Sequence, residues 1–191
     1  FVRFALGSVA ERVIQRAETP VLLMREVTNA SLGKPRRILI PLDGSRMAET
    51  ALPEAAALAQ TLNAQLVLLQ VIQPLDEGNM RLLFPDRESA DAAQAQWRLA
   101  ADAYLAQVAY MLQSSGIACE YQAKLGDADQ VICASAIIDN IDLIVMSTHG
   151  RSGLKRWYYG SVANKVLRNA ECPILLVRSV TETALAEGDN R

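Results

Sequence analysis

Apolar residues along this chain fall into short runs separated by longer stretches of mixed character, and the alternation predicts strands interleaved with helices. Runs at 36–42, 64–72, 117–125, 141–148 and 172–180 are aliphatic or β-branched and read as strands. Between them, 45–62, 88–115, 128–140 and 161–169 read as helices. The first, second and fourth runs are apolar almost without interruption, which suits strands covered on both faces, as in a parallel sheet. Strands alternating with helices and joined by right-handed crossovers make an open α/β layer fold with a five-stranded sheet. One long loop, 74–87, contains Gly78, Pro85 and mixed charge, and connections of that length are usually functional or mobile.

The opening segment recurs later in the chain. FVRFALGSVAERVIQRAETPVLLMR, 1–25, aligns without gaps on LKRWYYGSVANKVLRNAECPILLVR, 154–178, at an offset of 153, with 12 of 25 positions identical. Such a repeat bears on architecture before any single residue does. The first copy carries a helix and a strand but not what precedes them in the second. Four parts follow: a helix–strand remnant of a first domain at 1–25, a linker at 26–35, a complete domain at 36–178 and a flexible tail at 179–191. On this reading the chain is a fragment of a tandem protein. The last strand would form an exposed sheet edge, and exposed edges must be paired or covered. The remnant's strand, 20–25, is expected to dock antiparallel on 174–177, within the chain or from a neighbour.

Composition narrows the class. A net charge of −2, 51% hydrophobic and 21% charged residues over 191 positions describe a soluble globular chain with room for a full core. No run of five Lys or Arg marks nucleic acid as a partner. The apolar runs fall far short of the ~18 residues that a membrane span needs, and no secretory signal opens the chain. The expected location is the cytoplasm. Cys119, Cys133 and Cys172 are widely spaced, and His149 is the single histidine, so no metal site is expected. The three thiols read as buried, reduced and structural.

Candidate chemistry lies after the fourth strand, in STHGRSGLKRWYYGSVANKVL, 147–167. Gly150, Gly153 and Gly160 allow a ligand to approach the backbone closely. Gly160, Ser161 and Val162 would offer free amide protons at a helix N-terminus, where the helix dipole favours an anion by about 0.3–1 kcal/mol. Ser161 is expected to cap that helix when the site is empty and to donate to a phosphate when it is filled. Arg151, Lys155 and Arg156 add positive charge with no acid among them. Phosphate is the natural guest. Loops at the carboxyl ends of parallel strands converge where strand order reverses, so a partner loop is sought after another strand. PLDGS, 41–45, fits: Asp43 can accept hydrogen bonds from ribose hydroxyls, and Val71 and Ile72 can wall a base. Plainer readings stand beside these. Asp43 could cap a helix, as could Asp127 and Asp129; His149 could orient the loop; and Trp157, Tyr158 and Tyr159 could simply pack.

Taken together, these segments resemble the universal stress protein family, with 36–178 looking like one of its domains and 1–25 like the tail of another. The nucleotide-binding branch has a signature of Gly, two residues, Gly, nine residues, Gly and then Ser or Thr. Gly150, Gly160 and Ser161 fit it, and Ser147 stands at the first position. IPLDGS at the first strand and CPILLVR at the last strengthen the resemblance. It implies a three-layer, Rossmann-like fold of the adenine nucleotide alpha hydrolase type, with a parallel five-stranded sheet in order 3-2-1-4-5. It also implies Pro41, Leu42 and Asp43 near adenine and ribose, Val71 against the base, and Met146 and Ser147 along the sugar. His149, Gly150, Arg151, Gly153, Gly160, Ser161 and Val162 would surround the phosphates.

The implied ligand is ATP or AMP, with Mg2+ as a companion. The implied role is regulatory, in the stress response, with occupancy shifting the loops at 74–87 and 151–159. Pairing would use the last strand, 173–178, as a homodimer or against the strand 20–25 in a tandem chain. No single reaction defines the family. GxxxxGK[ST], GxGxxG and GxSxG are absent from the sequence. Any ATP hydrolysis is expected to be slow, because no general base is evident near a γ-phosphate. The alternative is a dimerisation or interaction module of the same fold that does not use nucleotide, a reading motivated by Ser147.

Overall fold

A computed structural model of the chain describes residues 7–24, 33–75, 82–148 and 160–178. Its elements are α1 (Ser8–Arg16), β1 (Val21–Leu23), β2 (Arg37–Leu42), α2 (Arg46–Glu49), α3 (Leu52–Leu62) and β3 (Gln65–Ile72). They continue with α4 (Arg87–Ser114), β4 (Cys119–Leu125), α5 (Ala128–Ile138), β5 (Leu143–Ser147), α6 (Ser161–Asn169) and β6 (Ile174–Val177).

The predicted strands all form, shortened by one to three residues at their ends. Full burial of β5 and near-full burial of β2 and β3 account for their unbroken apolar runs, since both faces of these strands meet helices. Ile38, Ile40, Leu66 and Leu68 pack with Ala55, Leu105 and Val108, so α2, α3 and α4 cover one face of the sheet. Leu39, Val67, Leu69 and Ile144 pack with Ile132, Ala136, Val166 and Leu167, so α5 and α6 cover the other. The helix expected at 45–62 is instead two helices. Pro53, at the second position of α3, has no N–H for an intrahelical bond and fits only in a first turn, so α2 ends and α3 restarts through Thr50 and Ala51.

The sheet runs β1-β6-β5-β2-β3-β4. β6, β5, β2, β3 and β4 are parallel to their neighbours and reproduce the expected 3-2-1-4-5 order. The strand expected to dock antiparallel on 174–177 does so within the chain. β1 adds a sixth strand, antiparallel on β6, so the sheet is mixed. The pairing is Val21 with Leu176, Leu22 with Leu175 and Leu23 with Ile174. With the sequence offset of 153, Leu22 faces its own counterpart, and the flanking pairs exchange counterparts. The two copies therefore meet about a local two-fold axis, as in an isologous interface.

The amino ends of the strands are locked by polar groups. Arg36 and Arg37 N–H donate to Asp142 Oδ2 at 2.8 and 3.0 Å. The Arg37 guanidinium donates to the Asp139 carbonyl at 2.9 Å and Gln65 Oε1 at 2.6 Å, and pairs with Glu120. These contacts tie β2, β3, β4 and β5 at one end and leave the carboxyl ends for a ligand. Cys119 is buried as expected, and desolvation followed by the Glu120 charge pushes its thiol up to about 11. Cys133 and Cys172 form no disulfide and are only partly buried, because both lie at the margin of the core on the α5–α6 face.

Candidate functional site

Strand order reverses between β2 and β5, and at their carboxyl ends lies a cavity of about 830 Å³. Pro41, Leu42, Asp43, Val71, Met146, Ser147, Gly160, Ser161 and Val162 all line it. These nine come from four segments spread over more than a hundred positions of the sequence, and parallel pairing of β5, β2 and β3 is what gathers them. His149, Gly150, Arg151 and Gly153, with Lys155, Arg156 and the aromatic run Trp157–Tyr159, lie outside the described residues.

The loop after β2 is held by its own side chains. Ser45 N–H and Ser45 Oγ–H donate to Asp43 Oδ1 at 2.9 and 2.6 Å, and Ser45 Oγ accepts from Ala48 N–H at 3.1 Å as the N-cap of α2. Asp43 thus orients the capping serine rather than capping directly. Gly44, with φ 78°, allows the turn between them. On the far wall, Tyr104 OH donates to Glu49 Oε1 at 2.8 Å and ties α4 to α2.

The phosphate-type helix differs from expectation in two details. Gly160, not Ser161, is the N-cap of α6, because its extended ψ of 147° precedes the first helical residue. Its N–H is also engaged, donating to the Thr148 carbonyl at 2.9 Å, which tethers the helix to the end of β5. The orphan amides of α6 are therefore those of its first turn, Ser161, Val162 and Ala163, and no side chain among the described residues caps them. Asp127 occupies the N-cap of α5 as expected, but its carboxylate accepts from Gln130 Nε2 at 3.2 Å rather than from the backbone. Asp129 pairs with Lys165 at 3.1 Å. Among the described residues no three His, Cys, Asp or Glu side chains converge as a metal site would require.

Residues 34–178 match the sequence profile of the Universal stress protein family. The chain belongs to that family. Universal stress protein Sll1388 of Synechocystis is 28% identical over 155 residues, covering 74% of this chain and 97% of the relative. A universal stress protein solved in complex with cAMP superposes with a TM-score of 0.56 at 20% identity, over 78% of this chain and 100% of its own. One from Arabidopsis thaliana, solved with AMP bound, gives 0.52 at 19% identity over 78% and 95%. A longer universal stress protein structure from Archaeoglobus fulgidus gives 0.62 at 20% identity, covering 93% of this chain with 56% of its own length. This universal stress protein thus has the Rossmann-like, adenine nucleotide alpha hydrolase-like fold.

The cavity also includes residues that sequence reasoning passed over. Trp97, Ala100, Ala101 and Tyr104 line it from one face of α4, at a spacing that marks a single helical stripe. Ala128 and Ile132 do the same from α5. Gln70 and Thr148 also line it. Gln70 is a polar break in the apolar run of β3, and its Oε1 is buried without a hydrogen-bond partner among the described residues. No helix among the described residues is long and apolar enough to cross a membrane.

Proposed function

We propose that this universal stress protein binds an adenine nucleotide, AMP or ATP, and works as a nucleotide-responsive regulator in the stress response. The observation that carries the reading is the convergence of an acidic strand end, an apolar wall and an uncapped helix N-terminus around one cavity of about 830 Å³. Pockets of roughly 300–1,000 Å³ suit ligands of nucleotide size. Val71 and Ile72 would carry the base, Asp43 the ribose hydroxyls, and the amides of Ser161, Val162 and Ala163 a phosphate group. Each assignment matches a wall to its chemistry: apolar to the base, acceptor to hydroxyls, donor to anion. The relatives solved with AMP and with cAMP support the ligand class. ATP would bring its own Mg2+, coordinated mainly by phosphate oxygens, as that ion is usually held at such sites.

Isothermal titration of AMP and of ATP into the purified chain tests the reading. Saturable heat is expected, weakened at least about tenfold by Gly160→Val, which places a branched side chain at the mouth of the amide turn. No heat at millimolar nucleotide would overturn it. Unchanged stress tolerance in cells carrying Gly160→Val would favour the module that does not use nucleotide.

A further inference from the structure

The glutamines of β3, Gln65 and Gln70, meet opposite fates. Gln65 accepts from the Arg37 guanidinium at 2.6 Å and donates to Glu120 Oε2 at 3.2 Å. Gln70 stands among apolar neighbours. Side chains alternate along a strand, so Gln70 shares a face with Leu68 and Ile72, and the sheet register sets it beside Leu42 of β2 and Ala123 of β4. None of these side chains can give or take a hydrogen bond. The same face is covered by α4, where Ala100, Ala101 and Tyr104 line the cavity and the Tyr104 hydroxyl is engaged with Glu49 Oε1 at 2.8 Å. Gln70 Oε1 is left buried with no partner among the described residues. Such an orphan weakens a fold, and native proteins keep few of them without a reason. Gln70 also lines the cavity.

On the nucleotide reading of the cavity, we infer that Gln70 is the residue that selects the base, its amide pairing with the six-amino group and N7 of adenine. The place fits. Because Leu42 pairs with Gln70, Asp43, the proposed acceptor of the ribose hydroxyls, stands one strand away and one residue further on. A base carried by that ribose reaches Gln70, with Ile72 and the indole of Trp97 as apolar surface on the same side of the sheet. The chemistry fits as well. An amide offers an acceptor and a donor side by side, and rotation about the last side-chain bond turns either one to the cavity. Adenine presents a donor and an acceptor side by side, its six-amino group and N7, which is how glutamine reads adenine elsewhere. Hypoxanthine and guanine present a six-oxo group beside N7, two acceptors, so Gln70 Oε1 would face an oxygen and stay unsatisfied. The group at position six of the base decides the fit.

AMP carries the six-amino group and IMP a six-oxo group, and isothermal titration of each into the 191-residue protein and into Gln70→Met closes a double cycle. Methionine keeps the length of the side chain and removes both hydrogen-bonding atoms. The unchanged protein is expected to bind AMP at least about fivefold more tightly than IMP, and Gln70→Met to cut that preference at least about fivefold, chiefly by weakening AMP. A smaller cut, or an unchanged protein without the preference, would overturn the role of Gln70 and leave nucleotide binding standing. An unchanged protein that binds neither nucleotide at millimolar concentration would overturn the nucleotide reading and this role with it. Without nucleotide, the urea midpoint of Gln70→Met is expected to equal or exceed that of the unchanged protein, because the orphan acceptor is gone. A lower midpoint in both Gln70→Met and Gln70→Leu would mean that the amide supports the fold, and would overturn the role. Where only one of these variants folds, its preference between AMP and IMP decides.

Discussion

Two copies of one helix–strand segment sit side by side in this protein, at Ser8–Leu23 and Ser161–Leu176, and they differ in almost nothing local. Both helices have nine residues, both follow an extended glycine N-cap, Gly7 or Gly160, and both end on an extended alanine whose N–H bonds back at 2.8 Å. Their environments differ in how much of each helix is covered. α6 closes one face of the sheet and lines the cavity, while α1 contributes Ile14 to the same core and leaves Val9 and Val13 outside. Local sequence is therefore enough for the element, its length and its cap, and says nothing of whether an apolar stripe will be buried.

The comparison breaks or sharpens under paired substitutions. Leu176→Ala removes a side chain that is 1% exposed and is expected to cost about 3–4 kcal/mol in chemical denaturation, whereas Leu23→Ala, partly buried at the end of the sheet, is expected to cost about 1 kcal/mol. Equal losses would mean that the two copies share one level of support. Val166→Ala is expected to cost about 2 kcal/mol and Val13→Ala less than about 0.5 kcal/mol. Gly160→Val is expected to weaken nucleotide binding by at least about 1.4 kcal/mol, and Gly7→Val to leave it unchanged, since a Cβ at Gly7 meets nothing within 4 Å.

A pH-dependent effect concerns Cys119, on the opposite edge of the sheet and without a counterpart in the first copy. Its folded thiol is raised from 9.0 to about 11, so between these values the folded state holds the proton more tightly than the unfolded one. Stability from this group is complete below pH 9, falls as pH rises and is lost above 11. Urea midpoints across that window should decline less in Cys119→Ala than in the unchanged protein.

Much of the fold and part of the site could be read along the chain. α6 forms over the residues its apolar spacing marks, and the runs of β2, β3 and β5 declare themselves because strands covered on both faces have no polar positions to confuse the pattern. Where the reading failed, a competing interaction prevailed. Pro53 split a helix whose apolar period continues through it. Thr148 claimed the Gly160 amide, which a helix considered by itself leaves free. Trp97 and Tyr104 went unnoticed as site residues because their stripe on α4 looks like any core-facing stripe until the helix is laid across the end of β3.

By itself, the sequence determined the elements, their alternation, the duplication at offset 153 and the residue types able to meet base, sugar and phosphate, all of which depend on neighbours a few positions apart. Only the tertiary structure decided which of those residues share a cavity, which glycine amide is already engaged and which copy of the repeated helix is buried. Each of these depends on the contact between segments far apart in the chain, and no local pattern encodes a partner it does not touch.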